Sequence, residues 1–196
     1  MHFIYNYEFS IKKLPVMQEI LPGIFIGSIE AFRMTKLHNI NISTVISIVD
    51  DIDILQKLPK PFKHLIIILK DGDSFYENQL KQAYSIINSA IKNDEKILIH
   101  CIAGISRSVS ILAGFLMKEK KFNPFEALDI IRRKRFVASP LKETYFSVQQ
   151  YAFPGKKFLC TLCFREYVYG SKSLRYCHCA VPNLEMIDLA HDTECL

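Results

Sequence analysis

Residues Ile97 to Met117 read "ILIHCIAGISRSVSILAGFLM": an apolar run, a short polar turn and a second apolar run. "EKILIH", Glu95 to His100, has the length and composition of a buried strand. From Arg107 to Lys120 the apolar residues Val109, Ile111, Leu112, Phe115, Leu116 and Met117 point in nearly every direction, so this segment is predicted to be a central helix buried on most sides. A strand that runs through a loop, Cys101 to Ser106, straight into a helix presents the loop to the unpaired N–H groups of the helix start.

The flanking sequence repeats the alternation. "STVISIVD", Ser43 to Asp50, and "HLIIIL", His64 to Leu69, read as buried strands, and "EILPGIFIGSIEAF" as a hairpin or strand entry turning at Pro22-Gly23. Between Tyr76 and Lys92, Leu80, Tyr84, Ile87 and Ile91 recur at helical spacing, flanked by Ala83, Ile86 and Ala90. "NPFEALDIIRRKR" opens with Asn123 as N-cap, Pro124 at the first helical position and Glu126 at the third. Its basic residues Arg132 to Arg135 fall in the last turn, where the helix dipole favours them. The expected fold class is α/β, with a mostly parallel central sheet flanked by helices.

The chain has 196 residues, 49% of them hydrophobic and 23% charged, which suits one well-buried domain with a small appendage. The expected organisation is an N-terminal extension 1–19, a main domain 20–152 and a cysteine-rich tail 153–196. The first residues lack the charged start and apolar core of a secretion signal, and no stretch approaches the ~20 apolar residues of a bilayer span. A cytoplasmic or nuclear protein without a membrane partner is expected. The net charge of +5 permits an anionic partner without requiring one.

Six cysteines divide into two groups: Cys101 alone, and Cys160, Cys163, Cys177, Cys179 and Cys195 near the end. In a reducing compartment this division indicates one special thiol and one metal site. A free cysteine at a strand end is ordinarily a small buried hydrophobe. Here, however, the adjacent helix start and Arg107 favour the thiolate, the form that attacks phosphorus. Gly104 lets the backbone curl so that successive N–H groups converge on an anion, and Arg107 can grip two phosphate oxygens at once. Ser108 is placed to hydrogen-bond the sulfur, and His100 to orient the loop from behind.

"HCIAGISRS", His100 to Ser108, fits H-C-x-x-G-x-x-R-S, and on these residues the sequence resembles the cysteine-dependent protein phosphatases, specifically the dual-specificity branch. The resemblance covers most of residues 20–151. It implies that Cys101 is the nucleophile, that Ile102, Ala103, Gly104, Ile105, Ser106 and Arg107 bind the phosphate, and that Ser108 assists hydrolysis of a phosphocysteine. It also implies a general-acid aspartate about thirty residues earlier, for which "KDGDSF" offers Asp71, with Asp73 in reserve. Catalysis would need no cofactor. The missing pocket-deepening loop implies phosphoserine and phosphothreonine as well as phosphotyrosine in a phosphoprotein substrate. An RNA 5′-phosphate is the variant in which "RRKR" would aid binding. Leu141 stands where the family carries an asparagine that braces the phosphate loop.

"CTLCFREYVYGSKSLRYCHC" places Cys160 and Cys163 before Cys177 and Cys179 in two close pairs that could close a tetrahedral Zn2+ site. His178, His191 and Cys195 are further candidate ligands. The tail resembles that of the zinc-binding subgroup of dual-specificity phosphatase twelve and its fungal relatives, through this spacing and the following "AVPNLEMID". That resemblance implies a structural Zn2+, and a preribosomal protein or RNA partner in ribosome assembly, with docking through the tail and catalysis secondary.

Overall fold

The computed structural model describes residues 15–34, 39–55 and 63–154, and the backbone of three short strands after them. The elements run β1 (Met17–Leu21), β2 (Ile24–Gly27), α1 (Ile29–Arg33), β3 (Ile42–Val49), β4 (Lys63–Ile68), α2 (Glu77–Lys92) and β5 (Lys96–His100). They continue with α3 (Arg107–Lys120), α4 (Pro124–Lys134), α5 (Lys142–Ala152), β6 (Lys157–Cys160), β7 (Glu166–Val168) and β8 (Leu184–Met186). Five strands make one sheet in the order β1-β2-β5-β3-β4. All pairs are parallel except the hairpin of β1 on β2, so the expected mostly parallel α/β sheet is present. At that hairpin the Glu19 carboxylate accepts from the Gly23 N–H at 2.8 Å.

The sheet is buried on both faces at its centre, which is why β3 and β5 read as continuous β-branched runs. Ile46, Ile48, Ile97 and Ile99 pack under the helical layer, while Val45, Val49 and Leu98 meet Phe25 and Phe32 on the opposite side. Every residue of α3 from Arg107 to Met117 is buried, because the helix is enclosed by the sheet, α4 and α5. Helix α4 begins as its sequence signals require: Asn123 Oδ1 accepts from the Glu126 N–H, and the Glu126 carboxylate accepts from the Asn123 N–H, both at 2.9 Å.

Four features depart from the sequence expectations. The sheet starts at Met17, inside the stretch assigned to the N-terminal extension. β4 is an edge strand rather than a fully buried one, and Ile66 and Ile68 are exposed on it. Ile91 lies in the last turn of α2, beyond the core, and is exposed. Helix α5 was not expected, because its buried face mixes Tyr145, Val148 and Ala152 with the buried polar residues Thr144, Ser147 and Gln149, which weakens the hydrophobic period.

β6 pairs antiparallel with β7 and with β8. Cys160 closes β6, so the C-x2-C pair begins where the β6–β7 connection begins. Cys163, Cys177, Cys179, His178, His191 and Cys195 lie outside the described residues, as does most of the tail. Among the described residues, no helix is long and apolar enough to cross a membrane.

Helix packing leaves no room for a side chain at Gly114, where an added Cβ would collide with the Tyr84 hydroxyl oxygen and sit 2.7 Å from Val148 Cβ. Gly114→Ala should therefore destabilise the protein by about 2 kcal/mol in urea unfolding despite the better helix propensity of alanine. Stability equal to or above wild type would contradict this packing.

Candidate active site

Parallel strands deliver their C-terminal ends to one edge of the sheet, and the loop after β5 lies there beside the ends of β3 and β4. Cys101 follows the last residue of β5 and is 2% exposed. Its sulfur accepts from the Gly104 N–H at 3.2 Å and lies 3.4 Å from Ser108 Oγ. The loop thus curls around the sulfur before α3 begins at Arg107. Gly104 has φ +69°, and a Cβ on it would fall 2.5 Å from the Gly27 carbonyl oxygen, so both backbone and space demand glycine.

Arg107 is buried and its guanidinium lies between two half-exposed carboxylates. Nη1 donates to Asp50 Oδ1, just past β3, and to the Leu69 carbonyl at 2.8 Å. Nε is 3.3 Å from Asp71 Oδ1. Asp71 is therefore joined to the loop through Arg107, whereas the Asp73 backbone N–H closes the turn on the Lys70 carbonyl at 3.2 Å. Asp73 has no side-chain ion pair among the described residues, and its exposed side chain borders, with Asp50, Ile68, Phe75 and Tyr76, a groove of about 600 Å³.

Arg135 makes the connection that the sequence reading missed. It is 1% exposed, with Nε donating to the Gly104 carbonyl at 2.6 Å and Nη2 to the Ala103 carbonyl at 3.2 Å. Nη1 donates to the Pro15 carbonyl at 3.1 Å and to Gln18 Oε1 at 3.2 Å. Drawing two successive carbonyls to one side of the loop leaves N–H groups for the other side. The basic run is consequently no uniform surface patch: Arg135 is buried, Arg132 Nε donates to the Ala138 carbonyl, and Arg133 pairs with Asp129. A signal was present in the sequence, since Ala127, Ile131 and Arg135 continue one buried stripe at four-residue spacing.

Leu141 braces the loop through its backbone, since its N–H donates to Ser106 Oγ at 3.0 Å. The Ser139 N–H donates to the Ile105 carbonyl at 3.0 Å. Two main-chain donors thus hold the loop where the resemblance led us to expect an asparagine side chain.

His100 is fully buried, stacked on Phe32 with ring centroids 4.7 Å apart. Its Nδ1 is 3.3 Å from the Cys101 carbonyl oxygen and its Nε2 is 2.6 Å from Ser47 Oγ. Burial, outweighing the backbone hydrogen bond, pushes the imidazole down from 6.5 to about 4. Between those values an unfolded chain binds more protons than the folded one, so stability present above pH ~6.5 is lost as the pH falls through ~4. The stability advantage of wild type over His100→Asn should shrink by about 2 kcal/mol between pH 7 and pH 4.5 in urea titrations. Parallel pH dependences would show that His100 is not held neutral.

Comparison with known proteins gives this arrangement a family. The model described as "Dual specificity phosphatase, catalytic domain" matches residues 24–152. Dual specificity protein phosphatase 1B of Arabidopsis thaliana is 30% identical over 137 residues, covering 69% of this chain and 81% of that protein. Tyrosine-protein phosphatase yvh1 of Schizosaccharomyces pombe is 40% identical over 81 residues, covering 40% of this chain and only 24% of that protein. The crystal structure of the human tyrosine phosphatase-like serine/threonine/tyrosine-interacting protein superposes with a TM-score of 0.61 at 25% identity, covering 69% of this chain and 94% of that one. The chain belongs to the dual specificity phosphatase catalytic-domain family, a family of protein-tyrosine/serine/threonine phosphatases.

Proposed function

We propose that the protein hydrolyses phosphotyrosine and phosphoserine or phosphothreonine in a phosphoprotein through a phosphocysteine intermediate. The observation that carries the reading is the loop closed around Cys101 Sγ by Gly104 N–H and Ser108 Oγ, with Arg107 joining it to Asp71. The N–H groups of residues 102–107 and the Arg107 guanidinium bind the three non-bridging phosphate oxygens. Arg107 exchanges part of its hydrogen bonding to Asp50 and its ion pairing with Asp71 for those oxygens.

In the first step the Cys101 thiolate attacks phosphorus, an S–P bond forms and the P–O bond to the leaving side chain breaks. Asp71 gives its proton to that leaving oxygen. In the second step a water attacks phosphorus, Asp71 accepts its proton, and the S–P bond breaks. Ser108 donates a hydrogen bond to the departing sulfur, and His100 holds the loop through the Cys101 carbonyl. None of these steps requires a cofactor.

Phosphate release from a small aryl phosphate should vanish in Cys101→Ser and fall at least a thousandfold in Arg107→Ala. Asp71→Asn should slow an ester with a poor leaving alcohol about a hundredfold while sparing one with a good leaving group, since proton transfer contributes typically ~10²–10⁴. Equal rates in Cys101→Ser and wild type would refute the mechanism. A larger loss in Asp73→Asn than in Asp71→Asn would move the acid.

The tail binds one structural Zn2+ through Cys160, Cys163, Cys177 and Cys179. The reading is supported by Cys160 ending β6 at the start of a hairpin, with β8 paired on the other side. In a segment this small, the metal would supply much of the folding free energy. Metal analysis should find one equivalent of zinc in the intact chain and none in Cys160→Ser/Cys163→Ser; equal content in both would refute the site. The preribosomal partner draws no support from the relatives named above.

A further inference from the structure

Three polar side chains form a line across three parallel strands on the sheet face that Phe32 covers. His64 of edge strand β4 has Nε2 2.7 Å from Ser47 Oγ of β3, and Ser47 Oγ is in turn 2.6 Å from His100 Nε2 of β5. The Phe32 ring bridges the two imidazoles, 4.7 Å from His100 and 5.3 Å from His64 by ring centroids. The Ser47 hydroxyl, in the middle of "STVISIVD", is fully buried, where an unpaired hydroxyl would be costly, and the two imidazoles are the partners it meets.

The chemistry of the three groups fixes the direction of the line. A carbonyl oxygen only accepts, so the contact of His100 Nδ1 with the Cys101 carbonyl requires the hydrogen on Nδ1. A neutral His100 then presents a lone pair at Nε2, which must accept from the Ser47 hydroxyl. Ser47 has spent its only hydrogen, so its oxygen accepts from His64 Nε2–H. Donation therefore runs one way, from the sheet edge through Ser47 and His100 to the first carbonyl of the phosphate loop.

We infer that Ser47 and His64 are positioning residues that hold His100 in its Nδ1–H tautomer and thereby keep the Cys101 carbonyl turned away from the phosphate-binding side of the loop. Without the Ser47 hydroxyl, the hydrogen can move to Nε2, and the Nδ1 lone pair then faces the Cys101 carbonyl oxygen. That repulsion rotates the first peptide of the loop and spoils the convergence of the following N–H groups. His64 acts one bond further away, by making the Ser47 oxygen an acceptor and its hydroxyl a better donor. The effect on turnover rests on the phosphatase reading, whereas the tautomer does not.

The test uses the full chain with 15N-labelled histidine, reading the imidazole nitrogens by NMR alongside inorganic phosphate affinity and aryl phosphatase turnover. Wild type should show His100 protonated at Nδ1 alone. Ser47→Ala should give a mixture of tautomers, phosphate binding weakened about fivefold and kcat lowered about tenfold. Ser47→Thr, which keeps the hydroxyl, should restore all three. His64→Phe keeps a ring against Phe32, removes the donor at the sheet edge, and should shift the His100 Nε2 resonance and lower kcat two- to threefold. It decides the matter if Ser47→Ala does not fold. An Nδ1–H tautomer unchanged in the folded variants, or a changed tautomer with unchanged phosphate affinity, would overturn the inference. A wild-type protein without turnover would refute the phosphatase reading and leave the tautomer measurement to decide this one.

Discussion

A buried guanidinium with no carboxylate against it among the described residues is costly, and the site depends on how Arg135 meets that cost. Taking such a group out of water carries a penalty of several kcal/mol unless its N–H groups are satisfied. Arg135 finds four oxygen acceptors: two loop carbonyls, the Pro15 carbonyl and Gln18 Oε1. Burial still pushes the group below its ordinary value, with the nearby Cys101 opposing that shift. The fork-shaped donor set suits adjacent carbonyls in a way an ammonium does not. Because Arg135 also ties the loop to the start of β1, the antiparallel hairpin at the sheet edge becomes a support for the site.

Around that tie, the loop is held from every side by elements distant in the chain. His100 supports its first carbonyl from the sheet, and Ser139 and Leu141 hold its far end through backbone donors. Gly104 approaches Gly27 so closely that no side chain fits between them. Arg107 meets the ends of both neighbouring strands through Asp50, Leu69 and Asp71. Preorganisation of this kind matters for phosphoryl transfer, in which the protein contributes mainly position and electrostatic stabilisation.

The groups recoverable from sequence are those whose chemistry is local. Cys101, Gly104, Arg107 and Ser108 sit within eight consecutive residues between a strand and a helix, so spacing alone places them together. Asn123 and Glu126 announce the start of α4 for the same reason. In the sequence Arg135 looks like a helix-dipole residue in a basic run, because its partners lie 31 and 32 residues away in the loop and 117 and 120 away in β1 and before it. Ser47 and Asp50 likewise disappear into an apolar strand in the sequence, since their partners belong to other strands and to α3. Leu141 carried the opposite lesson: losing an expected side-chain brace does not loosen the loop when the backbone N–H at the same position makes the bond.

The Arg135 fork, rather than its charge alone, shapes the loop into an anion cradle. Calorimetric titration of inorganic phosphate into wild type and Arg135→Lys separates fork from charge, because lysine keeps the charge and stem but cannot reach both carbonyls along two directions. Binding should be at least tenfold weaker in Arg135→Lys, in a variant that still unfolds cooperatively. Equal affinity in the two proteins would contradict this role of the fork.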